Sequence, residues 1–64
     1  MFIEVNGKES EQKALLNLAH IIAIEPAVRV GSNVAEGGVV TVVSGIIHTV
    51  ETYEELCALV RVAQ

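Results

Sequence analysis

VVTVVSGIIHTV, residues 39–50, contains no Asp, Glu, Lys or Arg in twelve positions. Two β-branched runs flank Ser44-Gly45, which is the pattern of an antiparallel hairpin. Such hairpins usually give one face to the core and a polar face to water, and here neither face is polar. The turn decides which side chains share a face, because a slip of one residue turns every side chain over. A two-residue type I′ turn on Ser44-Gly45 forces positive φ on Ser44, which serine adopts poorly. A three-residue loop needs one left-handed residue, and Gly45 supplies it as a G1 bulge. In that register Val42 pairs with Ile46 and Val40 with His48, on one face with Val50 beyond. The other face carries Val39, Thr41, Val43, Ile47 and Thr49. The first set is expected to meet a helix. The second, β-branched throughout and uncharged, is expected to form an oligomer interface, because an exposed strand face of this kind is an aggregation hazard. The alternative is a small barrel that buries both faces within one chain.

Outward from the hairpin, the C-terminal side is helical. Thr52 with Glu55 three residues on is a capping-box pattern, and Glu54 and Glu55 suit a helix N-terminus. Tyr53, Leu56, Cys57, Leu59, Val60 and Ala63 recur at helical spacing and form one apolar face. On the N-terminal side, Phe2-Ile3-Glu4-Val5 reads as a strand closed by Asn6-Gly7. Ala14–Asn17 reads as a second strand, with a turn through Leu18-Ala19-His20. Ile21–Glu25 reads as a third, ended by Pro26, which lacks a ladder donor; residues 14–24 also admit a helical reading. Val28–Val30 extend the pairing before the turn cluster Gly31-Ser32-Asn33, and Val34–Gly38 reads as a loop whose most mobile part is Gly37-Gly38. The expected fold is α+β and mainly β: a small antiparallel sheet or partly open barrel of about five short strands followed by one C-terminal helix, all in a single small domain over residues 1–64.

A chain of 64 residues builds a small core, typically worth only about 3–5 kcal/mol, so a staple or partner is expected. Cys57 is the only cysteine, which excludes an internal disulfide. The hydrophobic fraction is 52%, and the mean hydropathy of +0.53 is high for so short a chain. Small domains have the most surface per residue, so this apolar excess points to self-association. Residues 14–24 are interrupted by Asn17 and His20 and stopped by Glu25-Pro26, too short for a membrane helix of about 20 residues. The start MFIEVNGKESEQ has no basic region followed by an apolar run, so a cytoplasmic location is expected.

Candidate chemistry is sparse. His20, His48 and Cys57 are metal-ligand types, but no two share a short ligand spacing, so no metal site is expected. A Cys57–His48 nucleophilic pair is disfavoured by the mid-helix place of Cys57 on the apolar face. Glu51, Glu54 and Glu55 suit capping and solubility better than acid–base work. Gly31, Gly37, Gly38 and Gly45 form no phosphate loop. No cofactor and no enzymatic activity are expected.

NGKE at 6–9, LLNLAHIIAIEP at 15–26 and VVTVVSGIIHTVETYEEL at 39–56 together resemble the small flagellar FlbD-type proteins. That family shares an NGKE-like start, an Asn-x-x-x-Ile turn into an Ile-Glu strand, and a glycine hairpin running into a capped helix. This chain departs from it by an insertion over Val30–Gly38 and by lacking a basic C-terminal tail. The resemblance implies a link to flagella or motility. The rhythm of strands and final helix is also similar to LytTR-type DNA-binding domains, which implies the alternative of a nucleic-acid-binding regulator; an accessory protein of a phage or mobile element is the third reading. The leading expectation is a non-catalytic module that binds itself, as a homodimer or higher oligomer, or another protein, without inserting into membranes.

Nucleic acid is disfavoured as a partner. Four Lys and Arg against eight Asp and Glu give a net charge of −4, Lys8, Lys13, Arg29 and Arg61 are scattered, and Phe2 and Tyr53 are the only aromatics. Phosphate neutralisation dominates affinity for duplex DNA, and aromatic stacking dominates affinity for single strands. The chain is expected not to bind duplex DNA at physiological salt, and a gel shift at micromolar protein would contradict this.

Overall fold

Alternation in the first residues builds a strand with one wet and one dry face. In β1 (Phe2–Asn6), Ile3 and Val5 are buried while Phe2 and Glu4 are exposed. β2 (Lys13–Asn17) pairs antiparallel with it, Val5 opposite Ala14 and Ile3 opposite Leu16. Asn17 then caps a single 3₁₀ turn, Leu18–His20, its side-chain oxygen accepting from the Ala19 N–H at 3.0 Å. The chain continues through β3 (Ile21–Val28), β4 (Ala35–Val42), β5 (Gly45–Thr49) and helix α1 (Tyr53–Ala63). The computed structural model describes residues 1–9, 12–28, 31 and 35–64.

The strands form two antiparallel sheets, β1-β2 and β3-β4-β5, so the expected five-strand, one-helix α+β order holds and the barrel stays open. The sheets meet where β1 runs out along β5. Gly7 bridges Thr49, the Lys8 N–H donates to the His48 carbonyl at 2.9 Å, and the Val50 N–H donates to the Asn6 carbonyl at 2.8 Å. At the opposite end the Val43 N–H donates to the His20 carbonyl at 3.0 Å.

Between the sheets and α1 lies a small core of Ile3, Val5, Val40 and Leu56, with Leu16, Ile21, Ile24, Val42, Leu59 and Val60 packed around it. The capping box at the start of α1 is formed as expected. The Glu55 N–H donates to the Thr52 hydroxyl at 3.2 Å, and the Thr52 N–H donates to the Glu55 carboxylate at 3.1 Å. Leu56 is fully buried, whereas Cys57 is only half-buried.

Three expectations are corrected. The hairpin loop is two residues, Val43-Ser44, with Gly45 already paired opposite Val42. Gly45 does take a positive φ, +152°, but as the first strand residue rather than within the loop. Gly37-Gly38 lie inside β4 and not in a loop. A Cβ on Gly37 would collide with the Thr49 carbonyl, and one on Gly38 would lie 2.5 Å from Leu56 Cδ1 and 2.9 Å from the Glu51 carbonyl oxygen. These glycines are places of close approach rather than of slack. Finally, β3 runs through Pro26 to Val28, with irregular register between Pro26 and Val28. It is an edge strand, and an edge proline gives up no ladder bond that the sheet needs. Of the expected turn cluster, Gly31 is a turn residue at φ +83°, while Ser32 and Asn33, like Arg29, Val30 and Val34, lie outside the described residues.

Two polar contacts clamp the β5–α1 corner to the rest. The Thr49 hydroxyl, fully buried, donates to the Glu51 carbonyl at 2.9 Å, with the Gly38 carbonyl at 3.3 Å as the longer alternative acceptor. The Glu51 carboxylate accepts from the Asn6 backbone N–H at 2.8 Å and from the Asn6 side-chain amide at 2.6 Å. Burial acts to raise the Glu51 carboxyl, but the backbone and side-chain bonds from Asn6, with its own N–H, outweigh it and hold the group below the ordinary carboxylate range. The Lys13–Glu4 ion pair, 3.5 Å long, is exposed on both sides and contributes little.

Gly38→Ala is expected to destabilise the fold by about 2 kcal/mol, because the helix must back away from the sheet. An unchanged denaturation midpoint would contradict the close approach. Glu51→Gln is expected to cost about 1 kcal/mol at pH 7, the size of a charge-assisted bond weakened by solvent. Because the folded state lowers the Glu51 pKa, this stabilisation is full above the unfolded value of about 4.3 and is lost as pH falls through the folded value. The gap between wild type and variant is therefore expected to close as pH drops below about 4; denaturant titrations at several pH values measure it, and an equal gap at pH 7 and at acid pH would contradict it.

Candidate interaction surface

Residues directly opposite one another in an antiparallel ladder stand on the same face. Val40 pairs with Ile24 on one side and Ile47 on the other, and Gly38 with Thr49, so these side chains turn inward toward α1. The outward face is read the same way. Glu25, Val39 and His48 form one row across β3, β4 and β5, and Ala23, Thr41 and Ile46 form the next. Ile22 is the extra residue of an irregularity between Ile21 and Ala23, and Val43 stands at the hairpin tip.

Of the five residues expected to share an interface, the structure keeps Val39 and Thr41 on the outer face and Val43 at its tip. It turns Ile47 and Thr49 to the inner side, Thr49 being fully buried. Ile46 and His48 take their places. The reason is the loop: with two residues instead of three, every side chain of β5 changes face relative to β4. Nothing in the hairpin's own composition could have exposed this, since both β5 faces carry one isoleucine and one polar residue.

On the resulting surface Val39 and Thr41 of the central strand are half-buried, and exposed apolar side chains stand on the flanking strands and at the hairpin tip. Ile22 is 67% exposed, Val43 66% and Ile46 63%. Glu25 lies at one margin and His48 at the other, where Lys8 and Glu9 line a cleft beside Ile46 and His48. The opposite face of the same sheet is closed by α1, which packs against β3, β1 and β4.

The other residues weighed for chemistry stand apart. His20 is exposed in the 3₁₀ turn, His48 is exposed on β5, and Cys57 is half-buried on α1. Among the described residues no three His, Cys, Asp or Glu side chains come together in a metal-binding group. Hydrogen bonding of the Tyr53 hydroxyl to the Cys57 sulfur, followed by the electrostatic influence of Cys57 and desolvation, holds the Tyr53 phenol above its usual range, against an opposing effect of Arg61. Tyr53, Cys57 and Arg61 lie four residues apart along one side of α1. Glu54 and Glu55 serve the helix N-terminus as expected, while Glu51 does something its position did not suggest and holds Asn6 of β1. Among the described residues no helix is long and apolar enough to cross a membrane. No family model, curated protein or solved structure matches the chain.

Proposed function

We propose that this protein is a non-catalytic interaction module that associates with itself through the outer face of its three-stranded sheet. The observation that carries this reading is the set of exposed apolar side chains Ile22, Val43 and Ile46 around half-buried Val39 and Thr41, on a sheet whose other side already has its helix. Contiguous exposed apolar patches are one mark of a protein association site. Association is through the face and not by adding strands at the edge. The β3 edge carries Pro26, an exposed Glu25 and two register irregularities, all devices that discourage edge pairing. The other edge, β5, is partly covered by Gly7 and Lys8.

The resemblance to FlbD-type proteins adds a setting, flagella or motility, and rests on residues whose work here is structural. Asn6 holds Glu51, Gly7 bridges Thr49, Asn17 caps the 3₁₀ turn, and Thr52 and Glu55 cap α1. Shared architecture of this sort supports a shared fold and leaves the function open. A cytoplasmic location belongs to the same reading.

Association is expected to be concentration-dependent across the micromolar range. Light scattering behind a sizing column should give a two-chain mass at high loading that falls toward one chain on dilution. Ile46→Lys places an unpaired charge in the patch and is expected to abolish the dimer. Val62→Lys, on α1 at a side chain 86% exposed, is expected to leave it intact. A one-chain mass for the wild type across the range, or equal loss with both variants, would contradict the reading.

A further inference from the structure

Resting on the self-association just proposed, the register of the outer face assigns the geometry of the partner. The row Glu25–Val39–His48 has a carboxylate at one end, an imidazole at the other and a valine midway. With strands about 4.8 Å apart, the two polar ends lie roughly 10 Å from each other, and Val39 fills the space between them. Among the described residues neither the Glu25 carboxylate nor the His48 imidazole has a hydrogen-bonding or ionic partner, and both residues are exposed. The next row, Ala23–Thr41–Ile46, repeats the asymmetry in size, with a small side chain on β3 and a large one on β5.

Both rows are self-complementary under one operation. We propose that a second copy of this chain docks face to face about a two-fold axis running along β4, so that Glu25 of each copy hydrogen-bonds the partner subunit's His48. A two-fold interface is isologous, and whatever lies to one side of the axis meets what lies equally far to the other side. An axis along β4 lays β3 of one copy over β5 of the next. Val39 then meets the partner's Val39, and Thr41 the partner's Thr41. Ala23 leaves room for the partner's Ile46. Each imidazole N–H reaches a carboxylate, twice per dimer. Strand directions in the two sheets stay aligned, as in sheets stacked about 10 Å apart at an angle near 30°. An axis across the strands would instead stack β3 on β3 and bring the two Glu25 carboxylates onto one side of the interface, where like charges oppose each other. The charge pattern therefore selects both the occupant, a second copy, and its orientation.

Complementary charge swaps test this. Glu25→Lys sets a lysine against His48 in the homodimer, and His48→Glu sets two carboxylates against each other. Each is expected to raise the dimer dissociation constant at least tenfold, with the melting curve of the isolated chain unchanged because both positions are exposed. In a mixed dimer the introduced lysine of one chain faces the introduced glutamate of the other, and the second contact keeps the native Glu25–His48 pair. The 1:1 mixture is therefore expected to regain the wild-type dimer mass. The double variant, Glu25→Lys with His48→Glu, is expected to regain it alone. A wild type that dimerises while the single swaps have no effect, or while the mixture gains nothing over its components, overturns the pairing and leaves self-association standing. A wild type that remains one chain throughout overturns self-association itself.

Discussion

Everything in this fold depends on how closely α1 can approach the three-stranded sheet, and Gly38 sets that distance. Leu56 is fully buried because β4 presents no side chain beneath it. With the helix seated there, Leu56 reaches Val40, and Ile3 and Val5 of the first hairpin complete the core from the other side. Among the described residues four fully or nearly fully buried apolar side chains make a small core, beside which the polar contacts hold the corner in place. The Thr49 hydroxyl fixes the start of the turn into α1, and the Glu51 carboxylate ties that turn to Asn6, forty-five residues earlier in sequence. Removing either contact frees the helix from one of the two sheets.

Seating the helix on one face has a consequence for the other. The eleven-residue α1 packs on the inner side of β3-β4-β5 and leaves Ile22, Val43 and Ile46 exposed. The outer face carries Val39, Thr41 and Ile46 in its two rows. The margins are different, a glutamate on β3 and a histidine on β5, and in the proposed dimer they set its orientation.

Local features were legible from sequence because their causes are local. Thr52 and Glu55 announce the helix start within four residues, and Asn17 announces the turn into β3. What escaped was set by contacts between distant parts. Gly37 and Gly38 look like a slack loop until Thr49 and Leu56 are placed against them. Glu51 looks like another solubilising carboxylate until Asn6 is brought beside it. The hairpin register hinged on whether Gly45 closes the loop or opens the strand. Its glycine freedom fits both, and the choice falls to the pairing of Gly38 with Thr49 at the far end of the ladder. That single residue decided half of the candidate surface: Val39 and Thr41 stayed where the pattern put them, and Ile47 and Thr49 exchanged faces with Ile46 and His48.

In the proposed dimer, water touches the outer sheet face only when the chain is alone. Amide chemical shifts recorded from low to high micromolar concentration test this residue by residue. Concentration-dependent shifts are expected at residues 22–25, 39–43 and 46–48, with α1 unaffected. Shifts confined to α1, or a spectrum that does not change with concentration, would contradict it.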